Sequence, residues 1–85
     1  MKLEIRYERS FLLDLKDLDP TVYQRVYQFV FVEFLQLTQL HDLPELRQMG
    51  SSAIFYRFTL DRHFVAIEVT GQIIKFLRIL PKPKV

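Results

Sequence analysis

A chain of 85 residues with 49% hydrophobic and 14% aromatic side chains has enough apolar material for one packed core, and its composition argues against disorder. It has no cysteine, which excludes disulfide staples and thiolate zinc sites, and no run reaches the ~18 apolar residues of a membrane-spanning helix. The net charge of +2 hides an asymmetry: residues 1–45 carry five Lys or Arg against eight Asp or Glu, whereas residues 46–85 carry seven against two.

Leu3, Ile5 and Tyr7 alternate with Lys2, Glu4 and Arg6, which predicts a half-buried strand over residues 2–7. This alternating start lacks the apolar run of a signal peptide, so a cytoplasmic protein is expected. Ser10 is placed to cap a short helix near residues 10–18, with Phe11, Leu12, Leu15 and Leu18 at helical spacing. Asp19-Pro20 then marks a new start, Asp as N-cap and Pro at the first helical position. A second helix is predicted from Pro20 to about Thr38.

In that helix Val22, Val26, Phe29, Val30, Glu33 and Leu37 line one side, and Tyr23, Tyr27, Phe31 and Phe34 another. The segment Phe29-Val30-Phe31-Val32 also suits a strand by its branched and aromatic content. The Asp19-Pro20 cap and the Tyr23/Tyr27 spacing favour the helix. So heavy an aromatic load predicts that the Tyr23, Tyr27, Phe31 and Phe34 face is covered by a partner or a second copy of the chain.

Residues 41–52 read as a loop with at most one helical turn, broken by Gly50-Ser51-Ser52. Three strands follow: Ile54–Leu60, Phe64–Val69, where Val65, Ile67 and Val69 share one face, and Gln72–Leu80. Thr70-Gly71 fits a two-residue hairpin turn, because Gly71 supplies the positive φ. Pro81 and Pro83 lack N–H donors and end the last strand. The expected fold is a single α+β domain over residues 1–85: an N-terminal strand, two helices and a three-strand antiparallel run completing one small sheet.

Arg57, Arg62, Lys75, Arg78, Lys82 and Lys84 all fall in or beside this sheet. Basic residues there either guard an exposed sheet edge against aggregation or form a polyanion-binding surface. No Gly-rich phosphate loop or paired-His metal motif occurs, and only Asp61 and Glu68 are carboxylates near the sheet in sequence, which argues against two-metal nuclease chemistry. No cofactor or metal is expected. A metal-free set of Arg, Lys and His is suited to RNA cleavage, in which the 2′-hydroxyl attacks its own phosphate and arginines neutralise the developing charge. Arg57, Arg62, Arg78 and Lys82 are the candidate phosphate patch. His63 is the candidate general acid, because imidazole is the side chain that ordinarily exchanges protons near neutral pH, although a histidine beside a hairpin turn is more often just a tolerated surface residue.

The order strand, two helices, basic sheet resembles the RelE/ParE superfamily of bacterial type II toxin–antitoxin systems. The resemblance runs over essentially the whole chain. It is carried by Arg9 to Pro20, by Leu43-Pro44-Glu45-Leu46-Arg47-Gln48-Met49-Gly50, and by Phe55-Tyr56-Arg57-Phe58. It implies either metal-independent mRNA cleavage in the ribosomal A site, as in RelE-like members, or poisoning of DNA gyrase, as in ParE-like members. It also implies neutralisation by a cognate antitoxin. Arg57 matches the basic residue that follows the aromatic of the first hairpin strand. Thr59 replaces a second basic residue, and His63-Phe64 replaces an aromatic–Arg pair, with Arg62 nearby. Lys82 and Lys84 match the basic residues after the last strand, but no Tyr or His follows them. A RelE-like enzyme with slowed cleavage is therefore expected; the alternatives are a non-catalytic or ParE-like relative and a small dimeric adaptor.

Overall fold

The computed structural model describes residues 4–36, 43 and 45–83. The alternating Glu4-Ile5-Arg6-Tyr7 forms β1 (Glu4–Tyr7), followed at once by α1 (Arg9–Lys16) and α2 (Pro20–Gln28). A hairpin run supplies β3 (Phe55–Leu60), β4 (His63–Thr70) and β5 (Ile73–Pro81), and a two-residue strand, β2 (Arg47–Gln48), precedes it. The sheet order is β1-β5-β4-β3-β2, with β1 parallel to β5 and every other pair antiparallel. The α+β expectation holds. The segment expected as a loop, however, contains β2, which is too short for alternation to reveal.

The helices cover one sheet face. Phe11 and Leu15 of α1, Val26 and Val30 beyond it, and Phe58, Val65, Ile67, Ile74, Phe76 and Ile79 of the strands are buried together. Aromatic edges lock this layer: Phe34 meets Phe76 with centroids 5.0 Å apart, and Phe29 meets Phe58 at 5.5 Å.

The second helix begins at Pro20 as predicted, but Asp19 makes no side-chain capping bond there. Its non-helical ψ and its carbonyl, which accepts from the Tyr23 N–H at 2.7 Å, set the helix start. The α-helix ends at Gln28. The chain continues as a π-helical turn over Phe29–Glu33 and a 3₁₀ turn over Phe34–Gln36, not as a strand. Leu37 and Thr38 lie outside the described residues. The change in winding rotates Phe34 away from the tyrosines, and its side chain is 1% exposed. Phe34 is therefore core, which corrects its assignment to a partner-facing surface. Tyr23, Tyr27 and Phe31 do run together as a ladder, joined to Tyr7 of β1 by a 4.8 Å Tyr7–Phe31 contact.

Ser10 does not cap α1, which has no side-chain cap. It acts on the sheet instead. β1 pairs with β5 as far as Phe76, and among the described residues the edge of β5 beyond it has no strand neighbour on that side. The start of α1 lies along this edge. Glu8 N–H donates to the Phe76 carbonyl, Ser10 Oγ to the Leu77 carbonyl, and the Asp14 carboxylate accepts from the Ile79 N–H at 2.9 Å. Ser10 and Asp14, one helical turn apart, thus satisfy backbone groups that an open edge would expose.

Both hairpin turns have two residues. Leu60 pairs with His63 around Asp61-Arg62, and Thr70 with Ile73 around Gly71-Gln72. The second turn lies one residue later than expected, with Gly71 at its first position and φ +58°.

Candidate nucleic-acid interface

Strand register decides which basic residues meet. Arg47 pairs with Arg57, Arg57 with Ala66, and Ala66 with Arg78, so three arginines stand in one row across β2, β3, β4 and β5. Phe64 lies on the same face, two residues from Ala66. Neighbouring strands are ~4.8 Å apart, which puts the Arg57 and Arg78 backbones roughly 10 Å apart across Ala66.

Arg78 reaches this face because of a β-bulge. Ile67 pairs with Phe76 but Ala66 pairs with Arg78, leaving Leu77 as the extra residue. Without the bulge, alternation from buried Phe76 would bury Arg78 and expose Ile79. With it, Ile79 is 4% exposed and Arg78 faces outward. The bulge is held from the side by the Ser10 bond to the Leu77 carbonyl.

The Arg57 guanidinium lies over the Phe64 ring, with its carbon 4.2 Å from the centroid. Lys82 Nζ is 5.7 Å from the same centroid. The Lys82 backbone N–H donates to the Arg62 carbonyl at 2.8 Å, so the first hairpin turn fixes the chain just beyond β5. Arg57, Phe64 and Lys82 form a cation–aromatic–cation cluster, and among the described residues Arg57 has no ion pair. Arg47 directly opposite Arg57 is unfavourable as a cross-strand pair and becomes favourable when an anion bridges the two.

The N-terminal half brings carboxylates that sequence proximity to the sheet did not reveal. Asp14 accepts from Arg78 Nε at 2.6 Å, Glu8 lies 3.3 Å from Lys75, and Glu45 lies 4.0 Å from Lys82. Burial pushes the Asp14 pKa up, but the Arg78 hydrogen bond, the Ile79 N–H and the Arg78 charge outweigh it, and the carboxyl stays below its ordinary range. The same contact holds the Arg78 pKa above its usual value. Burial raises the Tyr7 phenol.

His63 and Arg62 sit elsewhere. His63 pairs with buried Leu60 and precedes buried Val65 by two residues, so its side chain lies on the helix side of the sheet, opposite Arg57 and Phe64. There it lines a cavity of about 370 Å³ with Asp19, Val22, Asp61 and Arg62, and its Nδ1 is buried without a hydrogen-bond partner among the described residues. Asp61 is paired with Arg25 at 2.8 Å. The structure thus gathers Arg57, Arg78 and Lys82 but separates them from His63. Arg47, expected in a loop, joins the row. Its signal lies in register, which a two-residue strand does not disclose. Among the described residues no group of His, Asp and Glu converges as a metal site.

No family profile matches the sequence, and no curated protein matches it. Solved structures do match by shape. A chain of the RelB–RelE antitoxin–toxin complex from Methanococcus jannaschii superposes with a TM-score of 0.75 at 22% identity, covering 89% of this chain and 88% of that one. The archaeal RelE–RelB complex from Pyrococcus horikoshii OT3 gives 0.73 at 17% identity, with 100% of both chains covered. The isolated E. coli RelE toxin gives 0.71 at 11% identity, over 98% of this chain and 87% of that one. The chain has the RelE-type toxin fold.

Proposed function

We propose that this chain is the toxin component of a type II toxin–antitoxin pair, which engages RNA on its outer sheet face and inhibits translation by cleaving mRNA on the ribosome. The observation that carries this reading is the row Arg47–Arg57–Ala66–Arg78, flanked by Lys82. Three guanidiniums on one exposed face, two of them directly opposed, suit a run of phosphates better than they suit one another. The matching solved structures include toxin–antitoxin complexes, which supports an antitoxin as the natural partner.

In the proposed reaction the RNA 2′-hydroxyl gives its proton to solvent and attacks the adjacent phosphorus, the P–O5′ bond breaks to leave a 2′,3′-cyclic phosphate and a 5′-hydroxyl end, and Arg57 and Lys82 stabilise the charge on the non-bridging oxygens. Arg78 contributes once its guanidinium is shared between phosphate and Asp14, and Arg62 steadies Lys82 through its carbonyl. His63 is the proton donor expected from sequence, but from the helix side of the sheet it does not face a phosphate held by Arg57. Proton transfer to the leaving oxygen then falls to the ribosome or to solvent, and cleavage is slow. The same placement favours a second reading, a non-cleaving relative that binds an antitoxin or gyrase through this fold.

Expression alone and together with a neighbouring antitoxin gene, while growth and amino-acid incorporation are followed, tests the proposal. Arrest of translation relieved by the neighbour is expected. Unaffected translation with inhibited DNA supercoiling supports the second reading, and normal growth with no effect of the neighbour contradicts both.

A further inference from the structure

We propose that Phe64 is a nucleobase-stacking platform, so that the cluster binds a nucleotide unit of single-stranded RNA rather than phosphate alone. This rests on reading the outer face as an RNA surface. Phe64 is a half-buried aromatic on the sheet face away from the core, where its ring helps cover Thr59 and Ala66 and keeps part of its surface in solvent. Its cross-strand neighbours are Thr59 and Leu80, and Leu80 is itself 39% exposed. Small Ala66, itself buried, follows it on the same face between Arg57 and Arg78.

Both cations beside the ring lie within range of its centroid, Arg57 at 4.2 Å and Lys82 at 5.7 Å. Two cations within reach of one aromatic offer the phosphate and base contacts that alternate along a single strand. The guanidinium now resting on the ring occupies the place a base would take. Base–aromatic stacking is stronger than an exposed cation–π contact. An arriving base therefore displaces Arg57 from the ring toward the neighbouring phosphate, where charge pairing replaces what the guanidinium gave up. Phe64 thus parks Arg57 in the free protein and receives the base in the complex. Because every base has a π face, this subsite adds affinity without strong sequence preference.

The test compares wild type with Phe64→Leu, Phe64→Tyr and Arg57→Ala, each checked for native circular dichroism. The probes are a short fluorescein-labelled oligoadenylate and an abasic oligomer with the same backbone. Phe64→Leu is expected to weaken oligoadenylate binding by roughly 5- to 150-fold and to leave abasic binding unchanged. Phe64→Tyr should restore oligoadenylate affinity. Equal losses on both probes overturn the proposal, because the ring then acts only by positioning Arg57. If Arg57→Ala weakens binding and Phe64→Leu does not, the stacking platform fails while the RNA surface stands. If neither changes binding, both fail.

Discussion

The Asp14 carboxylate takes hydrogen bonds from the Arg78 guanidinium at 2.6 Å and from the Ile79 backbone N–H at 2.9 Å. One helical side chain therefore closes an open sheet edge and also holds an arginine of the candidate site. Asp14→Ala should cost about 1–3 kcal/mol in urea unfolding, the range for removing a charge-assisted hydrogen bond from a partly buried partner.

The linkage to pH has a definite sign. The Asp14 pKa is depressed in the folded state, so its contribution is fully present above the ordinary carboxylate value and is lost as pH falls through the depressed one. Asp14→Asn should remove that acid-side loss. Thermal melts from neutral to strongly acidic pH should then show a shallower fall for the variant than for wild type.

Phe34 and Tyr27 lie on the same stretch of chain with opposite exposure, 1% against 45%. Phe34→Ala should cost about 3–5 kcal/mol, as for a fully buried aromatic. Tyr27→Ala should cost about 1 kcal/mol, the scale of its exposed ring contacts with Tyr23 and Phe31. Denaturant midpoints distinguish these outcomes, and similar losses at both sites would contradict the placement of Phe34 in the core.

Those two residues show how far the sequence is legible. Alternation at Val65, Ile67 and Val69 and the Asp19-Pro20 start locate β4 and α2, because a strand face and a proline are local signals. The shift from α to π winding at Phe29 has no local pattern that announces it, and beyond it Phe34 is buried where Tyr27 is exposed. At the site, strand alternation is enough to suggest a basic sheet. The bulge at Leu77, the edge contact of Asp14 and the pairing of Arg47 with Arg57 depend on partners distant in sequence, and no local pattern encodes them. Residue type alone points to His63 as the acid, and register puts it on the other face.

His63→Gln should leave the rate of any mRNA cleavage nearly unchanged. A general acid typically contributes ~10²- to 10⁴-fold, so a loss on that scale with unaltered RNA affinity would return His63 to the reaction.

Removing a cation that touches phosphate should lower the salt dependence of RNA binding. For Arg57→Ala the slope of log affinity against log salt is expected to shrink by about 0.7, with weaker binding at every ionic strength. Lys16→Ala, on the exposed side of α1, should leave the slope alone. Fluorescence anisotropy across a salt series reads both.

The central claim, that the arginine row acts on mRNA at the ribosome, is tested most directly by mapping 5′ ends of an mRNA on programmed ribosomes incubated with the purified protein. New ends should appear only with ribosomes and should disappear with Arg57→Ala, a charge-stabiliser deletion that typically costs on the order of 10²- to 10³-fold. Absence of new ends with wild type, or the same ends at the same rate with Arg57→Ala, would contradict it.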